Sequence, residues 1–180
     1  SGAFPNLLDS GPIIPHSDGA GIIENVGEKV DKTRIGERVF VYQAQHNRRR
    51  GTAAQYVVIS DSRAPKLPDS TSFEVGACIG IPIMTAHRCV FANGDIKNQK
   101  LLITGGAGRV ASYAIQWAKH AGAQVFTTAS NPLDTEFCLD MGADHVVNHR
   151  KTSWGKELDN LYENEKIDHV IDCEFGANLM

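Results

Sequence analysis

The sequence lacks the features that mark membrane-spanning, disulfide-stabilised and nucleic-acid-binding proteins. Among its 180 residues, no apolar run approaches the roughly 18 uncharged positions that a membrane-spanning helix needs. Its four cysteines form no C-x-x-C pair, which argues against zinc-ribbon and thioredoxin-like sites and is typical of reduced thiols in the cytoplasm. The net charge of −3 gives no electrostatic basis for a nucleic acid or an anionic membrane as the main partner.

The remaining composition is that of a globular protein, with 42% hydrophobic and 22% charged residues. Three consecutive arginines at 48–50 could indicate nucleic-acid binding. No aromatic side chain is interleaved with them, and a glycine follows at position 51, so we interpret the run as the solvated tip of a loop.

The most informative motif is Gly106-x-Gly108-x-x-Ala111, which follows the short apolar run 101–103 and precedes a segment with helical periodicity. It matches the dinucleotide fingerprint G-x-G-x-x-G/A. One glycine allows the tight turn from strand to helix, and one lets the backbone approach a pyrophosphate. Ala111 is small enough for close packing of helix on strand. The helix N-terminus would offer free N–H groups to phosphates. A glycine turn without a ligand is the alternative.

The two halves of the sequence differ in their patterns. Up to about residue 70, short strand-like segments and turns predict an antiparallel β unit. A helical run then begins near position 71, with Ser70, Thr71 or Ser72 as the cap and with Pro82 interrupting it. Downstream, strands alternate with helices, which predicts a parallel, doubly wound sheet. The predicted strands are 22–26, 34–42, 53–59, 101–103, 124–129, 145–147 and 168–172, and the predicted later helices are 133–141 and 154–162.

This order of elements, together with several local stretches, resembles the medium-chain dehydrogenase/reductase superfamily. Within it, the sequence is similar to the zeta-crystallin-like NADPH:quinone oxidoreductases. The resemblance implies part of a β-rich GroES-like domain at 1–78, followed by a truncated Rossmann-type parallel sheet at 79–180. Members are much longer, so we expect the chain to be an internal fragment. The stretches that carry the resemblance are Pro15-His-Ser-Asp-Gly-Ala-Gly-Ile-Ile-Glu-Asn-Val-Gly27, Gly36-Glu-Arg-Val-Phe40, Gly80-Ile-Pro-Ile-Met-Thr-Ala-His87 and Asn148-His-Arg150.

The resemblance implies a cytoplasmic, zinc-independent reductase that transfers hydride from NADPH to a small quinone or another conjugated carbonyl such as an enone. It also implies a homodimer or homotetramer when full length. An enoyl-thioester reductase and a non-catalytic NADPH-binding or RNA-binding protein are the alternatives. The catalytic residues stay unknown, because the substrate-side residues of relatives lie largely upstream of Ser1.

NADPH is favoured over NADH because the strand end at 127–131 carries no acid before Asp134 that would accept from a ribose 2′-OH. Without that acid a 2′-phosphate is not repelled, and Ser130, Asn131 and Arg150 are its candidate contacts. Against this, Glu136 stands where relatives commonly carry a lysine for the 2′-phosphate. Thr85 stands where relatives contact the nicotinamide side of the cofactor, with a helix-kink role as the alternative. Arg109 either contacts phosphate or lies on the surface. The full set of predicted cofactor-binding residues is Thr85, Gly105, Gly106, Ala107, Gly108, Arg109, Val110, Ser130, Asn131 and Arg150.

No metal site is expected. Zinc-dependent members carry Gly-His-Glu where this sequence has His16, Ser17 and Asp18, so that Ser17 occupies the ligand position. A neutral serine hydroxyl is a poor zinc ligand beside imidazole or thiolate. Asp18 corresponds to an acidic position beside that site, with capping of a turn as the alternative.

Overall fold

The computed structural model describes residues 8–9, 11–162 and 166–173. The chain divides into two compact units, Ser1–Ile81 and Pro82–Met180, which are described separately. The domain limits 1–78 and 79–180 stay a prediction. Within the described ranges, no helix is both long and apolar enough to cross a membrane.

The first unit contains an antiparallel pair of strands. Strand β1, Gly19–Ile22, pairs with β2, Arg38–Val41. Alternate residues of β2, Val39 and Val41, are buried, as expected of a strand with one face on a core. Helix α1, Phe73–Cys78, follows, and its N-cap is Ser72, whose hydroxyl accepts from the Val75 N–H at 3.3 Å. Short 3₁₀ turns lie at Lys32–Arg34 and Asp61–Arg63.

The predicted third strand, 53–59, is wrong. The segment is irregular, and its apolar side chains Tyr56 and Val58 are 62% and 84% exposed. The apolar run at 56–59 therefore does not correspond here to a strand that packs on a core. The backbone at the start of the segment is held by the opposing loop, because the Gly51 and Thr52 N–H groups donate to the Ile14 and His16 carbonyls.

Two of the three consecutive arginines stabilise loops by hydrogen bonds to backbone carbonyls. The Arg48 guanidinium donates to the carbonyls of Arg50 and Val58, and that of Arg49 donates to the carbonyls of Gly11 and Pro12. These bonds use the two partly buried side chains for internal structure, so the predicted solvated loop tip is wrong for Arg48 and Arg49.

Helix α2, Ile81–Phe91, starts at the division between the units, and two residues separate it from the end of α1. The predicted interruption is thus confirmed, but Pro82 lies in the first turn of α2. A proline there costs no hydrogen bond, because its missing N–H has no acceptor in that turn, so it begins a helix rather than kinking one.

The second unit alternates strands and helices after α2. Its elements are β3 Lys100–Ile103, α3 Arg109–His120, β4 Gln124–Ala129, α4 Pro132–Asp140, β5 His145–Asn148, α5 Trp154–Leu161 and β6 His169–Ile171. The strands form a parallel four-stranded sheet with the order β5-β4-β3-β6, which confirms the predicted fold class. The core combines the inner faces of the strands with helix α3, and Leu101, Ile103, Ile115 and Val125 are fully buried.

Candidate dinucleotide-binding site

The glycine motif lies at the point where the order of strands across the sheet reverses. From β3 the chain continues outwards through β4 to β5 on one side, and β6 then pairs with β3 on the other. In open parallel sheets, ligands bind beyond the carboxyl ends of the strands at this switch point. The loop from β3 to α3 leaves the sheet there.

Two neighbouring glycines fix this loop against β4. Gly105 has a φ of +62°, a conformation that suits glycine, and its N–H donates to Thr128 Oγ1 at 2.9 Å. The Gly106 N–H donates to the Thr128 carbonyl at 2.9 Å. A Cβ on Gly106 would overlap Thr127 Oγ1 and lie 2.7 Å from Cys138 Sγ. Gly106 is therefore needed for packing behind the loop.

Gly108 leaves the N-terminus of α3 open. It is the N-cap residue, with φ −70° and ψ 155°, and no side chain caps the helix. The first N–H groups of a helix have no acceptor within the helix, so those of α3 can donate to a bound anion. Ala111 is 1% exposed and packs into the core, which is the small-residue role predicted for it.

A cleft of about 340 Å³ opens over this loop. Three groups of residues line it: the glycine loop, the end of β4 with the start of α4, and the turn after β5. They are Gly105, Ala107 and Gly108; Thr128, Ala129, Ser130 and Asp134; and His149.

Four of the predicted cofactor-binding residues line this cleft, namely Gly105, Ala107, Gly108 and Ser130. Gly106 lies behind them, and the Val110 side chain packs against the core, so Val110 has only its backbone to offer a ligand. Thr85, Arg109, Asn131 and Arg150 are exposed and are not among the described residues that line the cleft.

The cofactor-binding residues predicted from the sequence omit Thr128, Ala129, Asp134 and His149, which also line the cleft. Thr128 and Ala129 could have been found, because they end a buried strand beside the motif, whereas the choice of His149 over Arg150 depends on the turn after β5. The Arg150 N–H donates to Asn148 Oδ1 at 2.9 Å and fixes that turn. Which of two consecutive side chains faces the cleft is a property of the folded turn.

A closed hydrogen-bond network occupies the end of the cleft beside α4. Asn131 caps this helix, because its Oδ1 accepts from the Asp134 N–H at 2.9 Å. In return, Asn131 Nδ2 donates to Asp134 Oδ2 at 2.7 Å, and Ser130 Oγ lies 3.4 Å from the same oxygen. Two of the three donors predicted for a 2′-phosphate, Ser130 and Asn131, are thus already engaged by a carboxylate.

The thiol of Cys138 lies beneath the glycine loop and is fully buried. Burial, with a further contribution from the negative charge of Asp134, raises the pKa of the Cys138 thiol to about 11. The thiol therefore stays protonated at neutral pH and acts as a small apolar group that supports the loop.

In the first unit, Asp18 is tied to the start of α2. Its Oδ2 accepts from the Ile81 N–H at 2.9 Å, and a Cβ on Gly80 would overlap the carboxylate. Burial raises the pKa of Asp18, an effect partly offset by hydrogen bonds from backbone N–H groups. These contacts favour the capping role for Asp18. His16 is exposed, and within the described part of the chain no three His, Cys, Asp or Glu side chains cluster as metal ligands would.

Both parts of the chain are similar to known protein families. Residues 3–69 match the alcohol dehydrogenase GroES-like domain family, and residues 110–178 match the zinc-binding dehydrogenase family. The quinone oxidoreductase of Homo sapiens is 32% identical over 169 residues, which cover 93% of this chain and 50% of that protein.

Solved structures agree with the sequence matches. Escherichia coli quinone oxidoreductase, complexed with NADPH, superposes with a TM-score of 0.77 at 28% identity, over 88% of this chain and 48% of that one. An NAD-dependent alcohol dehydrogenase superposes with a TM-score of 0.81 at 27% identity, over 89% of this chain and 53% of that one.

The parallel sheet, its glycine-lined cleft and the preceding β unit define a two-part α/β protein of the Rossmann type. The chain belongs to the medium-chain dehydrogenase/reductase superfamily, which confirms the resemblance seen in its sequence. It spans about half the length of the curated relatives it matches.

Proposed function

We propose that the chain is part of a zinc-independent, NADPH-dependent oxidoreductase that reduces quinones or other conjugated carbonyls. The observation that carries this proposal is the cleft over Gly105–Gly108, where an uncapped helix N-terminus and a loop of three glycines and one alanine offer room and N–H donors for a pyrophosphate. The similarity to quinone oxidoreductases supports the substrate class.

The cleft offers a dinucleotide the free backbone N–H groups at the start of α3. The backbone from Ala107 to Val110 would hold the pyrophosphate, while Ser130, Asp134 and His149 would surround the adenosine ribose. Thr85 keeps its proposed place on the nicotinamide side. When bound, NADPH supplies a hydride from C4 of its nicotinamide, and the protein's task is to orient that ring and exclude water.

Zinc independence is supported by the side chains of the first unit. Asp18 is engaged with the Ile81 N–H, and Ser17 is a poor ligand. We further propose a cytoplasmic location and a homodimer or homotetramer for the full-length protein, on the basis of the family resemblance.

The proposal is tested by titrating the full-length protein with NADPH and NADH and following cofactor fluorescence. NADPH should bind more tightly, because no acid ends β4 to select a 2′-OH. Equal affinities, or tighter binding of NADH, would contradict the choice of cofactor.

Turnover with a panel of quinones and conjugated enones identifies the substrate class. Reduction of the quinones is expected. Reduction of enoyl thioesters alone would favour the rival reductase activity. Tight NADPH binding with no turnover of any acceptor would favour a non-catalytic role.

A further inference from the structure

We propose that Asp134 is the residue that limits cofactor selectivity, because its carboxylate faces the 2′ substituent of the adenosine ribose. This inference rests on the proposed function, since it concerns the same dinucleotide. It differs from the expectation that Ser130, Asn131 and Arg150 receive a 2′-phosphate at this end of the cleft.

The position of Asp134 follows from the start of α4. The helix begins at Pro132, directly after the strand end and its cap Asn131, and Asp134 lies within the first turn. Its side chain lines the cleft together with Ser130 and His149. The end of the second strand of such a sheet is where the adenosine ribose of a dinucleotide lies. Asp134 thus places a carboxylate at the start of the helix, beside a strand end that carries no acid, and it reduces the preference for NADPH without reversing it.

The hydrogen bonds of Asp134 determine what the neighbouring donors can do. Its Oδ2 accepts from Asn131 Nδ2 at 2.7 Å, and Ser130 Oγ lies 3.4 Å away. A 2′-phosphate could gain these donors only by breaking that network, and it would meet a negative charge in doing so. A 2′-hydroxyl, by contrast, could itself donate to the carboxylate.

The charge of Asp134 has little compensation within the cleft. Among the described lining residues, His149 is the only basic side chain, and Arg150 is exposed outside the lining. Glu136, the other acid considered for this role, is exposed on α4 and does not line the described cleft. The geometry therefore distinguishes between two acids that the sequence alone leaves equivalent.

The test is the isosteric substitution Asp134→Asn in the full-length protein, with dissociation constants for NADPH and NADH measured by fluorescence titration. The asparagine keeps an acceptor for Asn131 and removes the charge. Affinity for NADPH should rise about five- to tenfold, the effect of removing one unfavourable charge pair near the protein surface. Affinity for NADH should stay the same or fall, and the NADPH gain should shrink at high salt.

Two substitutions on the same helix serve as matched controls. Asp140→Asn makes the same charge change at the far end of α4, where Asp140 is exposed, and Glu136→Gln removes the rival acid. Both should leave the ratio of the two dissociation constants within about twofold, because their charges lie in solvent outside the cleft. Melting temperatures verify that each variant is folded, and Asp134→Ala, which also frees Ser130 and Asn131, should shift the ratio in the same direction.

The outcomes separate this inference from the function on which it rests. If wild type binds both cofactors and Asp134→Asn leaves their ratio unchanged, the inference is overturned while the dinucleotide site stands. If Glu136→Gln shifts the ratio instead, the selectivity residue is Glu136. If folded wild-type protein binds neither cofactor, the proposed function fails and this inference fails with it.

Discussion

Substituting Gly108 by valine separates cofactor binding from folding. Gly108 lines the cleft at the N-terminus of α3, and its φ of −70° is one that a valine adopts without strain. A Cβ there would lie 3.1 Å from the Gly105 carbonyl oxygen and within 4 Å of nothing else outside its chain neighbours. The fold can relieve that contact by a shift of a few tenths of an ångström, so Gly108→Val should leave the melting temperature nearly unchanged.

The cost of Gly108→Val should appear in cofactor affinity. A branched side chain on the wall of the cleft excludes the pyrophosphate from the N–H groups of α3. Losing one hydrogen bond to a charged phosphate, together with the steric overlap, should cost about 2–4 kcal/mol, or roughly 30- to 1000-fold in affinity. NADPH titration and thermal unfolding of the full-length protein measure the two quantities.

Gly106→Ala is the matched contrast within the same loop. Its Cβ would overlap Thr127 Oγ1 and press on Cys138 Sγ, and both of those residues are fully buried. Overpacking of this kind costs about 1–3 kcal/mol, so this variant should lose stability. If Gly108→Val stays folded and binds NADPH as wild type does, the loop is not the phosphate site and the dinucleotide argument fails.

Three further outcomes concern the first unit. Elemental analysis should find well under one zinc per full-length chain, and one tightly held zinc would contradict the assignment of Ser17 and Asp18. Burial raises the pKa of Asp18, so the folded protein binds the Asp18 proton more tightly than the unfolded chain does. The stability that protonation adds is complete below the ordinary pKa of 3.8 and is lost as the pH rises through the raised pKa. Asp18→Asn should therefore gain stability in urea unfolding at pH 7 and lose that gain near pH 4; a gain that persists in acid would show that charge is not its cause. Gly80→Ala should lower the melting temperature, because its Cβ overlaps the Asp18 carboxylate; an unchanged value would show that the carboxylate can move away.

The sheet of the second unit could be predicted from sequence because burial determines the pattern of its strands. The bounds of β4, Gln124–Ala129, are those predicted, since the strand is a continuous apolar and threonine run between Gly122 and the cap Asn131. In the first unit, the segment 53–59 has a comparable apolar run at 56–59, but Tyr56 and Val58 lie in solvent. An apolar run in the sequence does not by itself show whether its side chains meet a core.

The candidate site likewise has one part that the sequence predicts and one part that it does not. The glycine loop was predictable, because a positive φ at Gly105 and an uncapped helix at Gly108 are local properties of a few residues. The ribose end was not, because Ser130 and Asn131 are good phosphate donors only if nothing else binds them. Asp134, one helical turn away, binds both. Competition of this kind depends on side-chain positions that composition and spacing do not determine.

The two ends of the cleft consequently control different properties of cofactor binding. The pyrophosphate is common to NADPH and NADH, so closing the helix N-terminus with Gly108→Val should weaken both cofactors by the same factor and leave their ratio unchanged. The 2′ substituent is the sole chemical difference between them, so Asp134→Asn should change the ratio. The double variant should show both effects independently, because one substitution acts through steric exclusion and the other through charge. A ratio altered by Gly108→Val would mean that the loop also determines the position of the ribose, and that affinity and selectivity share one structural origin.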